Sequence, residues 1–123
     1  ECIADAHRRN CPAQIKENER LVMQFDQVSV GKKANIYFDG KCISHTVTLT
    51  DGSRKSLGVI LPSTLRFDLS TKEIMEVVDG CAYVSIDGTP EKTYAAGASW
   101  TVEAGSYFVV RVSAPMHYVC HFG

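Results

Sequence analysis

Four histidines, five cysteines and a few well-placed charges bound the chemistry open to this chain. His117 and His121 stand four residues apart. On a helix that spacing chelates a metal; on a strand it sets the two residues roughly 13 Å apart, at about 3.3 Å per residue, too far to share one ion. The run Met116-His117-Tyr118-Val119-Cys120-His121-Phe122 reads as strand, so no metal site is expected there. His45 falls on the apolar side of its segment and reads as a hydrogen-bonded histidine of the core or of a barrel lip. Cys120 and His121 are adjacent, so on a strand they point to opposite faces and make no nucleophile–base pair. No Gly-x-Ser-x-Gly is present, and no motif-backed Ser/His/Asp order. Gly31-Lys32 and Gly40-Lys41 lack the upstream glycine of a phosphate-cradling loop, and no Gly-x-Gly-x-x-Gly exists. Cys2, Cys11, Cys42, Cys81 and Cys120 form an odd, scattered set without a Cys-x-x-Cys pair. Such a set reads as reduced thiols in a cytoplasmic protein.

The elements that must carry these residues are strands. Cys42 to Thr50 alternates, with Ile43, Val47 and Leu49 on one face and threonines on the other; Leu65 to Leu69 and Tyr107 to Val112 alternate as well. Four Asp-Gly dipeptides, at Asp39-Gly40, Asp51-Gly52, Asp79-Gly80 and Asp87-Gly88, punctuate the runs as tight turns. All nine glycines lie at Gly31 or beyond. Residues 1–24 are therefore read as an N-terminal extension, with Asn10-Cys11-Pro12 as a helix start, and residues 25–123 as one domain. Many short strands in about 100 residues mean an all-β sandwich or small barrel.

The charge balance narrows the partners. Thirteen basic against fourteen acidic residues give a formal charge of -1, which argues against a nucleic-acid module dependent on phosphate neutralisation. The longest apolar runs are far too short to span a bilayer, and no polybasic stretch suits a membrane surface. A chain of 123 residues buries a working core without disulfides.

Two spacings carry a resemblance. Glu73 is followed by six residues and Gly80, and Gly97 by five residues and Glu103-Ala104-Gly105. This is the skeleton of both cupin signatures, so the domain resembles a cupin jelly-roll barrel. The metal ligands are absent: the histidine slots of the first signature fall on Phe67 and Leu69, or on Arg66 and Asp68, and that of the second on Phe108. Carbon at those slots leaves no first-row metal site of the usual kind. Further stretches are similar to the bacterial pyrimidine/purine nucleoside phosphorylases, a family of small, metal-free, single-domain cupins. They are Asn35-Ile36-Tyr37-Phe38-Asp39-Gly40-Lys41, Ser53-Arg54-Lys55-Ser56-Leu57-Gly58-Val59-Ile60, Val77-Val78-Asp79-Gly80, Trp100-Thr101-Val102 and Pro115-Met116-His117-Tyr118-Val119-Cys120. The likeness covers about Asn35 to Phe122.

The resemblance implies phosphorolysis: a purine or pyrimidine nucleoside plus inorganic phosphate gives free base and ribose 1-phosphate, without a cofactor. It also implies a homodimer. In such an enzyme Arg54 is the first choice for phosphate, because a guanidinium fork matches two phosphate oxygens. Ser56 lies on the same strand face as a hydroxyl donor, and Lys41 is a second cation. Glu73, with Met75 and Val77 on its face, is the expected acid/base or ribose-binding carboxylate. Phe67, Met75, Trp100 and Phe108 are read as core or pocket wall, with an aromatic stacking on the base, and Tyr37 and Tyr118 as hydroxyls at the pocket edge. The competing reading is a non-catalytic cupin that binds a small ligand or builds an oligomer, since fold alone does not fix function.

Overall fold

A computed structural model describes residues 23–122. The expected N-terminal helix or extension therefore lies outside the described residues, apart from Met23 and Gln24, which adopt no regular element. Eleven strands follow: β1 (Ser29–Val30), β2 (Asn35–Tyr37), β3 (Cys42–Thr48), β4 (Arg54–Ile60), β5 (Ser63–Asp68), β6 (Glu73–Asp79), β7 (Cys81–Ile86), β8 (Lys92–Ala95), β9 (Ser99–Val102), β10 (Tyr107–Val112) and β11 (Met116–Phe122). No helix among the described residues is long and apolar enough to cross a membrane.

The strands form two antiparallel sheets facing each other as a jelly roll. One runs β1-β3-β4-β11-β6-β9, with β2 also on the edge of β3; the other runs β5-β10-β7-β8. The bounds expected for β10 and β11 match those observed. In all four Asp-Gly turns the glycine takes a positive φ, between 78° and 98°, a conformation open to Gly at no steric cost.

Register decides which side chains enter the barrel. Cα partners in an antiparallel sheet share a face. One row across the larger sheet is Thr46, Ser56, Cys120, Met75 and Trp100; the next is Ser44, Gly58, Tyr118 and Val77. Cys120, Met75, Trp100, Tyr118 and Val77 belong to the buried core, with Phe108, Val110, Leu65 and Val84 of the opposite sheet. The two rows are therefore interior. The apolar face of β3, with Ile43, His45 and Val47, is the outer one, and its serine and threonines point inward. This corrects the expectation that His45 sits on a core-facing side. His45 is half-buried on the outer surface, with Nδ1 3.0 Å from the carbonyl oxygen of Gly31.

The inward polar row is tolerated because it is hydrogen-bonded. Ser44, 3% exposed, bonds to Tyr118 and accepts from Asn35 Nδ2 at 3.4 Å. The Tyr118 ring lies across Gly58, where a Cβ would stand 2.5 Å from Cζ and Oη. Tyr118 has no free direction to move, being 6% exposed and 3.4 Å from Cys42 Sγ through its hydroxyl. Gly58→Ala is therefore expected to destabilise the fold by roughly 1–3 kcal/mol, the usual cost of overpacking. A urea titration checks it, and an unchanged midpoint would show that the ring is free to shift.

Candidate functional site

The inward row turns more polar toward one end of the barrel. There β3 contributes Thr46 and Thr48, β4 Ser56 and Arg54, β11 Cys120, and β6 Glu73. Thr46, Ser53, Arg54, Lys55 and Phe122 line a depression of about 370 Å³ at this end. Of the three arginines among the described residues, Arg66 is bound to Asp68 at 3.0 Å and lies over Tyr107. Arg111 is bound to Glu91 at 2.9 Å and lies over Tyr83. Arg54, exposed beside the depression, has no carboxylate partner among the described residues. A guanidinium so placed beside the Thr46 hydroxyl suits an anion with several oxygens. Lys55 points away, its ammonium 2.8 Å from His121 Nδ1.

Glu73 is half-buried and shares the inner face with Met75 and Val77, as its alternation predicts. Burial pushes its carboxyl above the ordinary carboxylate range, and a hydrogen bond with Cys120 pulls partly back. Burial, then the neighbouring Glu73, pushes the Cys120 thiol strongly upward. Cys120 is thus a neutral S–H donor to the carboxylate, unsuited to nucleophilic attack. One strand, β11, separates Arg54 from Glu73, so strands spaced about 4.8 Å put their backbones roughly 10 Å apart.

Two expected site residues stand elsewhere. Lys41 precedes β3 while Arg54 pairs with Thr48 at its far end. Seven residues of extended chain separate the two cations by roughly 20 Å, so one phosphate cannot touch both. Tyr37 pairs with Cys42 at the Lys41 end and is half-exposed there. Met75, Trp100, Phe108 and Tyr118, at 0–6% exposure, are packed core rather than lining of an open hollow; Phe67 keeps part of its surface open. Phe67 and Phe108, at the slots where a cupin places histidines, stack with centroids 5.1 Å apart and planes 18° from parallel. Among the described residues no group of three or more His, Cys, Asp or Glu is arranged to hold a metal. Trp100 Nε1–H is buried without a hydrogen-bond partner among the described residues.

Sequence reasoning missed Thr46, Asn35 and Cys120. The signal was there: the threonines of β3 alternate strictly against its apolar residues, but alternation does not say which face is the inside.

The outer face of the larger sheet holds a second concavity, about 800 Å³, with Ile43, Leu57, Val59, Val119 and Phe25 among its lining. On this face His121 Nε2–H donates to Glu76 Oε1 at 2.8 Å while Nδ1 accepts from Lys55. That ring therefore bridges β4 and β6 across β11. His117 also faces outward, so neither histidine reaches the barrel interior.

Comparison with known proteins accords with this architecture. The model of a family described as pyrimidine/purine nucleoside phosphorylase matches residues 32–122. A curated protein of that name from Thiobacillus denitrificans is 57% identical over 102 residues, covering 81% of this chain and 98% of the relative. Among solved structures, a protein of unknown function from Acinetobacter sp. ADP1 is 43% identical, with a TM-score of 0.80 over 82% of this chain and 99% of that one. An RmlC-like cupin from Shewanella frigidimarina, 16% identical, superposes with a TM-score of 0.61 over 82% of this chain and 93% of the other, and shows the cupin fold alone.

Proposed function

The chain belongs to the pyrimidine/purine nucleoside phosphorylase family, and from that premise we propose that it is a pentosyltransferase cleaving purine and pyrimidine nucleosides with inorganic phosphate. A phosphate oxygen attacks C1′, the C1′–N bond breaks with its electron pair going to the base, and the proton that phosphate sheds ends on the base. The products are free base and ribose 1-phosphate. The step is redox-neutral and calls on no cofactor. The names of the curated relatives favour this reading over a non-catalytic binding module.

The observation that carries the proposal is the Arg54 guanidinium, without a carboxylate partner among the described residues, at a depression lined by Thr46 and Ser53, one strand away from half-buried Glu73. Arg54 and Ser56 hold phosphate. The Glu73 carboxylate stabilises positive charge developing at C1′, an interaction strengthened by partial removal from water. Stacking of the base on an aromatic ring favours neither purine nor pyrimidine. The free thiols Cys42, Cys81 and Cys120 suit a cytoplasmic enzyme.

We also propose a homodimer that pairs through the apolar outer concavity, where Leu57 is 37% exposed. Sedimentation should then give twice the chain mass, and a monomer at micromolar concentration would contradict it.

The activity is tested by incubating inosine or uridine with and without phosphate and identifying products. Base and ribose 1-phosphate in equal amounts, formed only with phosphate, is the expected result. Base release at the same rate without phosphate, or no release in either case, would overturn the proposal.

A further inference from the structure

We propose that Thr46 is a hydrogen-bond donor to the bound phosphate and that Asn35, which touches no substrate, is the positioning residue that commits it to donate. This rests on the phosphorylase reading and deepens it.

Thr46 lines the depression beside Arg54, is Cα partner of Ser56, and is half-buried on the inner face. Asn35 Nδ2 lies 3.4 Å from both Thr46 Oγ1 and Ser44 Oγ, and an amide nitrogen only donates. Both hydroxyl oxygens are therefore acceptors toward Asn35, and each must send its own proton elsewhere. Ser44 is also hydrogen-bonded to Tyr118, whose hydroxyl lies 3.4 Å from Cys42 Sγ, so Ser44 is engaged by side chains on both sides.

Thr46 is the open end. Among the described residues its hydroxyl has no acceptor, and it lines the same depression as the Arg54 guanidinium. Phosphate is all acceptor oxygen at its charged positions, so a committed O–H donor beside Arg54 completes a cradle of Arg54, Ser56 and Thr46. Asn35 half-buried on the edge strand β2 fixes the polarity without reaching the ligand.

The test separates phosphate from nucleoside. Steady-state kinetics are run with each substrate varied, on wild type, Thr46→Val, Thr46→Ser and Asn35→Asp, after thermal melts confirm folding. Losing a hydrogen bond to a charged group raises the phosphate KM about 10- to 100-fold in Thr46→Val, with little change in nucleoside KM, and Thr46→Ser restores it. Asn35→Asp reverses the polarity, since a carboxylate accepts the Thr46 proton, and raises the phosphate KM at least as much. A structural role alone would move both KM values or the melting temperature together. A Thr46→Val enzyme with the wild-type phosphate KM, while wild type remains strictly phosphate-dependent, overturns this inference and leaves the phosphorylase reading standing. Wild-type base release indifferent to phosphate overturns both.

Discussion

Replacing Arg54 by alanine is expected to lower kcat/KM for phosphate by roughly 10²–10³, the scale seen when a preorganised donor to transition-state charge is removed. The side chain is exposed and has no ion pair among the described residues, so the melting temperature should stay near wild type. Arg54→Lys should recover only part of the loss, because an ammonium supplies charge without the two-pronged fork that grips two oxygens. Phosphate-saturation kinetics with a fixed nucleoside read this directly. An Arg54→Ala enzyme with unchanged phosphate dependence would place the anion elsewhere in the molecule.

Glu73→Gln is expected to lower kcat by roughly 10²–10³ and, in the same protein, to raise stability at neutral pH. The second effect follows from the direction of the Glu73 shift. Its carboxyl titrates above the ordinary range when folded, because burial disfavours the charged form. The folded state therefore holds the proton more tightly than the unfolded chain. The resulting stabilisation is complete below the ordinary carboxylate value and is lost as pH rises through the raised one. Glutamine carries no charge to desolvate and still accepts from the Cys120 thiol. Melting curves across pH should show variant and wild type converging in acid and the variant ahead near neutrality. The wild-type rate should rise with pH across the raised Glu73 value, since the charged form does the work, and this rise should vanish in the variant. A variant less stable than wild type at neutral pH would show that Glu73 is a structural partner rather than a strained functional group.

β10 and β11 were readable in the sequence to their ends, because apolar periods of two bounded by turns leave little choice. The Asp-Gly turns were equally readable, since their glycines need positive φ. The sense of β3 was not. Its alternation is clean, yet the ordinary assumption that the apolar side is inside fails, because Asn35 donates to the inward Ser44 and Thr46 and Tyr118 bonds to Ser44. Gly58 is the counterpart on β4, a vacancy that only the partner ring of Tyr118 explains. Lys41 failed for a related reason. A cation beside a turn looks as available as Arg54 until the strand between them, β3, sets them at opposite ends. The aromatic wall was recognised by residue type, but how deeply Trp100 and Phe108 are packed depends on contacts between sheets that no local pattern reveals.

The central claim is that the inward polar row of β3 and β4 holds the anion. A crystal soaked in phosphate together with a nucleoside tests it most directly. The account predicts a tetrahedral anion within hydrogen-bonding distance of Arg54, Ser56 and Thr46, with the sugar leaning toward Glu73. An anion bound at the Lys41 end, or on the outer face between His117 and His121, would contradict it.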